Sequence, residues 1–190
     1  MKTLKELSKI QFGCYDSALP KGEISYLQLK NFDENNQFLA NVDAFVEENE
    51  KYTKNLLLDN DILLPSKGNR IFAILFQAQW GKAVASSIFY VLRVNTSIVL
   101  PAYLVAILNL PQYQQLLCQM GGGSNIFSLR KKELEDLQIP LPPLKTQQQI
   151  SNLNLLLQQK NILRQQIIKK ERQLHQAIIQ QLTNSNYGRK

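Results

Sequence analysis

The chain has 190 residues, of which 44% are hydrophobic and 19% are charged, and its formal net charge is +7. This composition indicates a folded protein with one core and an appendage, and it excludes an intrinsically disordered chain. No window contains 18 consecutive apolar residues, and the start at Met1–Leu7 mixes charges into the segment that is apolar in a signal peptide. We therefore expect a cytoplasmic protein without a membrane segment.

The net positive charge of the chain comes entirely from its later two-thirds. Residues 1–61 carry a net charge of −4, residues 62–145 carry +5, and residues 146–190 carry +6. Such asymmetry favours a polyanionic partner such as DNA or RNA, although a charge of this size is also common in proteins that bind no nucleic acid. Charge alone leaves both alternatives open.

The cysteines, the histidine and the motif content give no sign of an enzyme or a metal site. Cys14 and Cys118 lie far apart with no CxxC pattern, and His175 is the sole histidine, so we expect buried, unpaired thiols and no metal or other cofactor. The glycines at 121–123 are not followed by GK[ST]. No GxSxG motif, Asp/Glu-x-Lys tripeptide or Asn/Asp-Pro-Pro-aromatic motif occurs. The sequence therefore predicts no catalytic site.

Short elements are predicted in the first third of the chain. Thr3–Phe12 is expected to form a short helix or turn closed by Gly13, because its apolar residues recur every three positions. Residues 24–29 alternate like a half-buried strand, and residues 30–36 then form a polar loop. The acidic stretch 47–50 is predicted to be a solvated face that repels phosphate.

Apolar runs in the middle of the chain predict the centre of a sheet. Residues 56–65 are interrupted by a turn that contains Asp59 and Asp61, and turn formation accounts for these carboxylates better than an acid/base pair does. Residues 71–76 and 87–94 are β-rich and short enough for buried strands.

Two helices and a glycine-rich loop are predicted next. Residues 102–108 follow Pro101 with helical apolar spacing, and residues 113–120 repeat this pattern. Residues 121–125 are expected to form a flexible loop, and Ser128 is the candidate N-cap of a short helix that ends at residue 137.

Three prolines within four positions separate the two parts of the chain. Because proline fixes φ and restricts the preceding residue, Ile139–Pro143 is predicted to be extended and solvent-facing, and a helix can begin only after Pro143. The sequence then contains neither proline nor glycine as far as Tyr187. We therefore expect a globular domain over residues 1–143 and a long helix with a frayed C-terminal tail over residues 144–190.

The predicted helix carries an apolar stripe that Lys160 and Lys170 interrupt at heptad positions. An isolated helix of this length whose apolar stripe is exposed to water has only marginal stability, so we expect it to pair with another helix. The alternative is that the helix folds back over its own domain. The residues predicted to form the dimer contact are Leu153, Leu156, Leu157, Leu163, Ile167, Leu174 and Ile178.

Two loops have the residue types of a nucleic-acid contact. In residues 66–70, arginine suits guanine, asparagine suits adenine, and glycine permits close approach of the backbone. The second loop is residues 121–125, whose amide and hydroxyl groups suit phosphates or base edges. It is followed by the cations Arg130, Lys131 and Lys132, which suit phosphate contacts. Ordinary surface turns explain both loops as well, and Lys82 near Trp80 is a weaker third candidate. The predicted contact residues are Ser66, Lys67, Asn69, Arg70, Lys82, Gly122, Ser124, Asn125, Arg130 and Lys131.

Taken in order, these segments resemble a specificity subunit of type I restriction-modification systems. The resemblance covers most of residues 1–182 and includes the opening at residues 4–13 and the strand and glycine turn at residues 58–69, where Asn60 replaces a usual glycine. Its most specific part is the proline-rich segment and helix start at residues 139–150. Residues 31–55 match no feature of the family that we can name.

The resemblance implies a non-enzymatic reader of double-stranded DNA. Its domain is expected to be an α/β (α+β) target-recognition domain with a twisted mixed sheet, and its helix to dock adenine methyltransferase subunits, with restriction subunits as further partners. One domain and one helix, where full-length subunits have two of each, imply a half-subunit. Two copies are then expected to pair their helices antiparallel and to read a palindromic bipartite target. A coiled-coil scaffold that binds no DNA is the alternative.

Overall fold

The structure is a computed structural model that describes residues 1–121 and 127–187, with side chains as far as residue 184. The chain divides into a first compact unit, Met1–Ile150, and a second that begins at Ser151. The strands are β1 Lys2–Thr3, β2 Ser8–Phe12, β3 Ile24–Leu27, β4 Phe45–Val46, β5 Ile62–Pro65, β6 Lys67–Gly68, β7 Ile74–Leu75, β8 Ala83–Ala85, β9 Phe89–Val94, β10 Phe127–Ser128 and β11 Gln138–Ile139. The helices are α1 Leu4–Leu7, α2 Glu50–Thr53, α3 Pro101–Leu108, α4 Pro111–Met120, α5 Lys131–Glu135 and α6 Leu144–Tyr187, with 3-10 turns at Leu29–Asn31 and Ala78–Trp80.

The centre of the first unit is an antiparallel sheet in the order β2-β9-β5-β7. Neighbouring residues of β9 point to opposite faces: Tyr90 and Leu92 join the cluster that contains α3, α4 and α5, whereas Phe89 and Val91 join a second, phenylalanine-rich cluster. Because both faces are covered, β5 and β9 appear in the sequence as nearly continuous apolar runs.

A second sheet has the order β4-β3-β8 and is mixed, because β3 pairs antiparallel with β4 and parallel with β8. The chain enters this sheet beside Gly13, where an added Cβ would lie 2.2 Å from the Ser86 carbonyl oxygen. Only glycine fits this close backbone approach. The expected mixed α+β architecture followed by a long C-terminal helix is thus confirmed.

The opening segment differs from its prediction. A helix forms only over Leu4–Leu7, where the Thr3 hydroxyl and the Glu6 carboxylate form a capping box. Ser8–Phe12 is instead an edge strand that pairs with β9 along its whole length. The helical prediction was wrong beyond Leu7 because the alternation of exposed Lys9 with buried Ile10 has the period of a strand.

Two further local predictions were wrong. Ser128 lies in β10 and does not cap a helix, and α5 starts later with Arg130 as its N-cap residue. Cys14 is buried and unpaired as expected, whereas Cys118 is unpaired but exposed on α4. Cys118 is exposed because it lies on the face of α4 that does not pack against the core, and the local sequence does not specify which face packs.

The proline-rich segment is extended, but it is only partly exposed to solvent. β11 pairs with β1, Ile139 is fully buried, and Leu141 packs against the main core. The prediction of a solvent-facing segment was therefore wrong at these positions. The predicted start of the long helix after Pro143 is confirmed, since α6 begins at Leu144.

A buried glutamine holds the first turn of α6. Gln147 is 1% exposed. Its Oε1 accepts a hydrogen bond from the Leu100 amide at 2.9 Å, and its Nε2 donates to the carbonyl oxygens of Pro142 at 2.9 Å and Ile98 at 3.2 Å. Three hydrogen bonds from one amide offset the cost of burying it and fix this turn in the first unit.

In the second unit α6 continues to Tyr187, and its apolar side chains are exposed. The seven residues predicted to form the dimer contact are each between 45% and 61% exposed. The expected frayed tail falls on residues 188–190, outside the residues described. Within the described part of the chain, no helix combines the length and the apolar character needed to cross a bilayer.

Candidate nucleic-acid interface

The first predicted loop is joined by a short antiparallel ribbon to the residues that come just before Arg130 and Lys131. β6 pairs with β10 so that Lys67 lies opposite Ser128 and Gly68 lies opposite Phe127. The Leu129 amide also donates to the Ser66 carbonyl oxygen at 2.7 Å. Gly68 has a φ of 128°, a conformation that other residues rarely adopt. Residues 58 or more positions apart in sequence therefore form one surface.

The exposed side chains of the first loop are Lys67 and Asn69. In the described part of the chain, the Lys67 ammonium has no ion-pair partner and the Asn69 amide has no hydrogen-bond partner. Ser66 is buried, and its hydroxyl donates to the Ile88 carbonyl oxygen at 2.9 Å. The lysine and the asparagine are thus available to a ligand, while the serine hydroxyl is occupied.

Arg70 makes its hydrogen bonds within the protein. Its Nη1 donates to the Asp33 carbonyl oxygen at 2.5 Å, and its Nη2 donates to those of Phe32 at 2.9 Å and Leu29 at 3.3 Å. The guanidinium carbon also lies 5.5 Å from the centroid of the Phe72 ring, a cation–π distance. Arg70 therefore connects the first loop to the segment around residue 33.

The second loop contributes cations at its C-terminal side. Arg130 and Lys131 form ion pairs of 3.6 Å with Glu133 and Glu135, and the Arg130 side chain is 82% exposed. Exposed pairs of this kind contribute little to stability, so a phosphate can compete for these cations. The predicted contacts Gly122, Ser124 and Asn125 lie outside the described residues.

Lys82 lies in a different part of the first unit. It immediately precedes β8, and its ammonium is 2.7 Å from the Glu48 carboxylate. Nearby Trp80 stacks on Phe38 with the ring centroids 4.3 Å apart. The Lys82 ammonium is therefore paired within the protein, unlike that of Lys67.

A polar turn beside the ribbon was not among the predicted sites. In Asp33–Gln37 the Asp33 carboxylate accepts hydrogen bonds from the Asn35 amide at 2.9 Å and the Gln37 amide at 2.7 Å. Phe32 and Phe38 form an antiparallel bridge across its base. The available sequence signal was a run of polar residues between two phenylalanines, which is typical of a hairpin tip.

Among the described residues, no group of three or more histidine, cysteine, aspartate or glutamate side chains is arranged to hold a metal ion. The ribbon offers cations, amides and backbone groups, which suit binding to a polyanion.

The first unit is a mixed α+β fold that carries a cationic ribbon, and a long helix with an exposed apolar stripe follows it in the chain. These are the features of a DNA-specificity protein. The family model for the type I restriction modification DNA specificity domain matches residues 1–184. The chain belongs to this family, which confirms the resemblance seen in the sequence.

Two of the solved structures with a similar fold are subunits of such systems. The S subunit of a type I restriction-modification system from M. genitalium is 16% identical, with a TM-score of 0.57 over 80% of this chain and 37% of that chain. The HsdS subunit from Thermoanaerobacter tengcongensis is also 16% identical, with a TM-score of 0.60 over 84% of this chain and 37% of that chain. The chain thus spans little more than a third of either subunit. Among curated protein sequences none matches it.

Proposed function

We propose that this chain is a DNA sequence-recognition subunit of a type I restriction-modification system and performs no catalysis itself. The observation that carries the proposal is the family match over residues 1–184. In this role the first unit reads one half of a bipartite target in double-stranded DNA, and α6 connects it to the reader of the other half.

The DNA surface in this proposal is centred on the β6–β10 ribbon. Lys67, Arg130 and Lys131 contact phosphates and set the register of the domain on the duplex, while the Asn69 amide reaches a base edge. The proposal is supported by the exposure of these side chains and by the pairing of Lys67 with Ser128. Ser66 supports this surface from beneath, and Lys82 is a peripheral contact at most.

The experiment is a titration of fluorescently labelled duplexes with the protein at several salt concentrations. Removing one cation that neutralises a phosphate reduces the slope of log K against log salt by about 0.9. We expect Lys67→Ala to reduce the slope by this amount, and Lys21→Ala to leave it unchanged because Lys21 is an exposed lysine beside the β4-β3-β8 sheet. Binding that is absent, or insensitive to salt, would refute DNA recognition.

The helix is proposed to pair antiparallel with α6 of a second copy and to dock adenine methyltransferase subunits, with restriction subunits joining that complex. The proposal is supported by the exposure of the seven apolar residues named above. Two-fold symmetry then makes the bipartite target palindromic, because each copy presents the same reading surface. Co-elution with an adenine methyltransferase subunit in size-exclusion chromatography tests the docking.

A coiled-coil scaffold without DNA binding is the second candidate function. The exposed apolar stripe of α6 favours it, because such a stripe requires a protein partner whether or not DNA is bound. The salt titration separates the two functions, since a scaffold shows no salt-dependent affinity for a duplex.

A further inference from the structure

The turn Asp33–Gln37, called the tip below, is closed by hydrogen bonds within it. The Asp33 carboxylate accepts hydrogen bonds from the backbone amides of Asn35 and Gln37, as described above. In addition, the Asp33 amide donates to the Gln37 carbonyl oxygen at 2.9 Å, and the Asn36 amide donates to the Asp33 carbonyl oxygen at 3.0 Å. Asn36 has a φ of 60°, in the left-handed region that asparagine tolerates better than most residues. These contacts define the backbone conformation from which the Asn36 side chain projects.

The tip lies against the segment that contains the ribbon. Arg70 binds the carbonyl oxygens of Leu29, Phe32 and Asp33. At Gly68, an added Cβ would lie 3.6 Å from Leu29 Cδ2, so the two segments also touch next to β6. Residues 29–33 thus contact residues 68–70, and residues 66–68 in turn pair with residues 127–129.

We propose that the Asp33–Gln37 tip reads a base edge through the Asn36 amide, and that Arg70 is the positioning residue that holds the tip beside the ribbon. This inference rests on the DNA-recognition function proposed above. A side-chain amide pairs in a bidentate manner with adenine N6 and N7 in the major groove, which makes adenine the base that it selects.

Charge and hydrogen bonding favour a groove contact for the tip over a phosphate contact. Glu34 is an exposed carboxylate at the tip, which repels phosphates but can accept a hydrogen bond from cytosine N4. The Asn36 side chain makes no hydrogen bond or ion pair within the described part of the chain, so its donor and acceptor are both available. Lys67 on the ribbon supplies the cation that the tip lacks.

Asn36→Gly is the informative variant, because glycine adopts the same left-handed backbone while the amide is removed. Asn60→Gly is its matched control: Asn60 also has a positive φ, of 69°, but it precedes β5, whereas the ribbon follows β5. Each protein is used to select 30-base-pair duplexes from a randomised pool, and the selected sequences are compared.

We expect wild type and Asn60→Gly to select the same sequence, and Asn36→Gly to lose about tenfold or more of its preference at one or two base pairs. If wild type selects a sequence and Asn36→Gly selects it equally well, or if Asn60→Gly loses the same preference, the inference is overturned and the proposed function stands. If wild type selects no sequence, the proposed function fails and the inference fails with it.

The variant Arg70→Ala tests whether Arg70 positions the tip. If it does, Arg70→Ala loses its sequence preference at the same base pairs as Asn36→Gly, and the double variant loses no more. Arg70→Lys, which keeps a donor for the carbonyl oxygens, should then restore part of the preference. Loss at a different base pair that adds to the loss from Asn36→Gly would show that Arg70 itself reads a base. Thermal unfolding identifies variants that are folded at the assay temperature. If Arg70→Ala is not among them, Arg70→Lys is compared with Asn36→Gly in its place.

Discussion

Arg93 and Asp61 form a bidentate ion pair across neighbouring strands of the central sheet. Arg93 Nε lies 2.8 Å from Asp61 Oδ1, and Nη2 lies 2.6 Å from Oδ2. The Asp61 side chain is only 1% exposed, and it also accepts the Leu58 amide at 2.9 Å. The carboxylate raises the pKa of Arg93, mainly through this hydrogen bonding. The pair thus closes the turn before β5 against β9.

Removal of the arginine leaves a buried carboxylate without its charged partner. We expect Arg93→Ala to lower the free energy of unfolding by about 3 kcal/mol, at the lower end of the effects found when one member of a buried pair is deleted, because the Arg93 side chain is 40% exposed. Lys9→Ala is the control, because exposed Lys9 lies opposite Arg93 on β2, and its effect should stay within about 0.5 kcal/mol. Urea unfolding measures both, and equal effects would contradict the assigned role.

Asn60 occupies a backbone conformation that glycine adopts readily, which fits the glycine that the sequence resemblance led us to expect at this position. Its φ is 69°, in the left-handed region. We expect Asn60→Ala to lower the free energy of unfolding by about 1 kcal/mol, since a Cβ without a local polar group is strained there, and Asn60→Gly to change it by a few tenths. Thermal unfolding distinguishes the two variants. An alanine variant as stable as wild type would contradict the strain argument.

The Asp16 carboxylate couples stability to acid pH. It accepts hydrogen bonds from the Tyr52 hydroxyl, from Lys51 Nζ at 2.9 Å and from the Ser17 amide at 2.8 Å. These contacts, the Tyr52 bond first, lower the pKa of Asp16 to about 2. The folded-state pKa is below the unfolded value, so this contribution to stability is present above about pH 4 and is lost as the pH falls towards 2.

We therefore expect the difference in unfolding free energy between wild type and Asp16→Asn to shrink as the pH falls from about 5 to 2. Glu23→Gln is the matched control, because exposed Glu23 has no ion-pair partner in the described part of the chain. Urea unfolding at several pH values provides the measurement. A difference that is constant with pH would contradict the role assigned to Asp16.

The apolar face of α6 should determine the oligomeric state. Leu156, Ile167 and Leu174 lie within about 20° of one another around the helix, and Gln158 and Gln176 lie about 200° from Leu156. We expect wild type to be a dimer at micromolar concentration, Ile167→Asp with Leu174→Asp to be monomeric, and Gln158→Asp with Gln176→Asp to remain dimeric. Light scattering coupled to size exclusion measures this, and a monomeric wild type would contradict self-pairing.

Part of the candidate site could be predicted from residue type and part could not. Lys67 and Asn69 are exposed as their turn chemistry indicates. Arg70 is predicted as a base contact because arginine suits guanine, and the sequence gives no sign that its guanidinium is also bonded to carbonyl oxygens 37 to 41 residues away. The turn at residues 33–37 was described only as a polar loop, since nothing local indicates which segment it packs against.

Local periodicity and proline geometry determined strands β3, β5 and β9, the helices that begin at Pro101 and Pro111, and the start of the long helix after Pro143, because these signals act between near neighbours in the chain. The predicted buried strand over residues 71–76 was wrong in extent, since only Ile74–Leu75 is a strand and both residues are partly exposed. Only the tertiary structure decided that β6 pairs with β10, that Asp61 meets Arg93, and that Arg70 holds the tip at Asp33. Those contacts join residues about 30 to 60 positions apart, and their energy depends on how the sheets and helices pack, which no short stretch of sequence specifies.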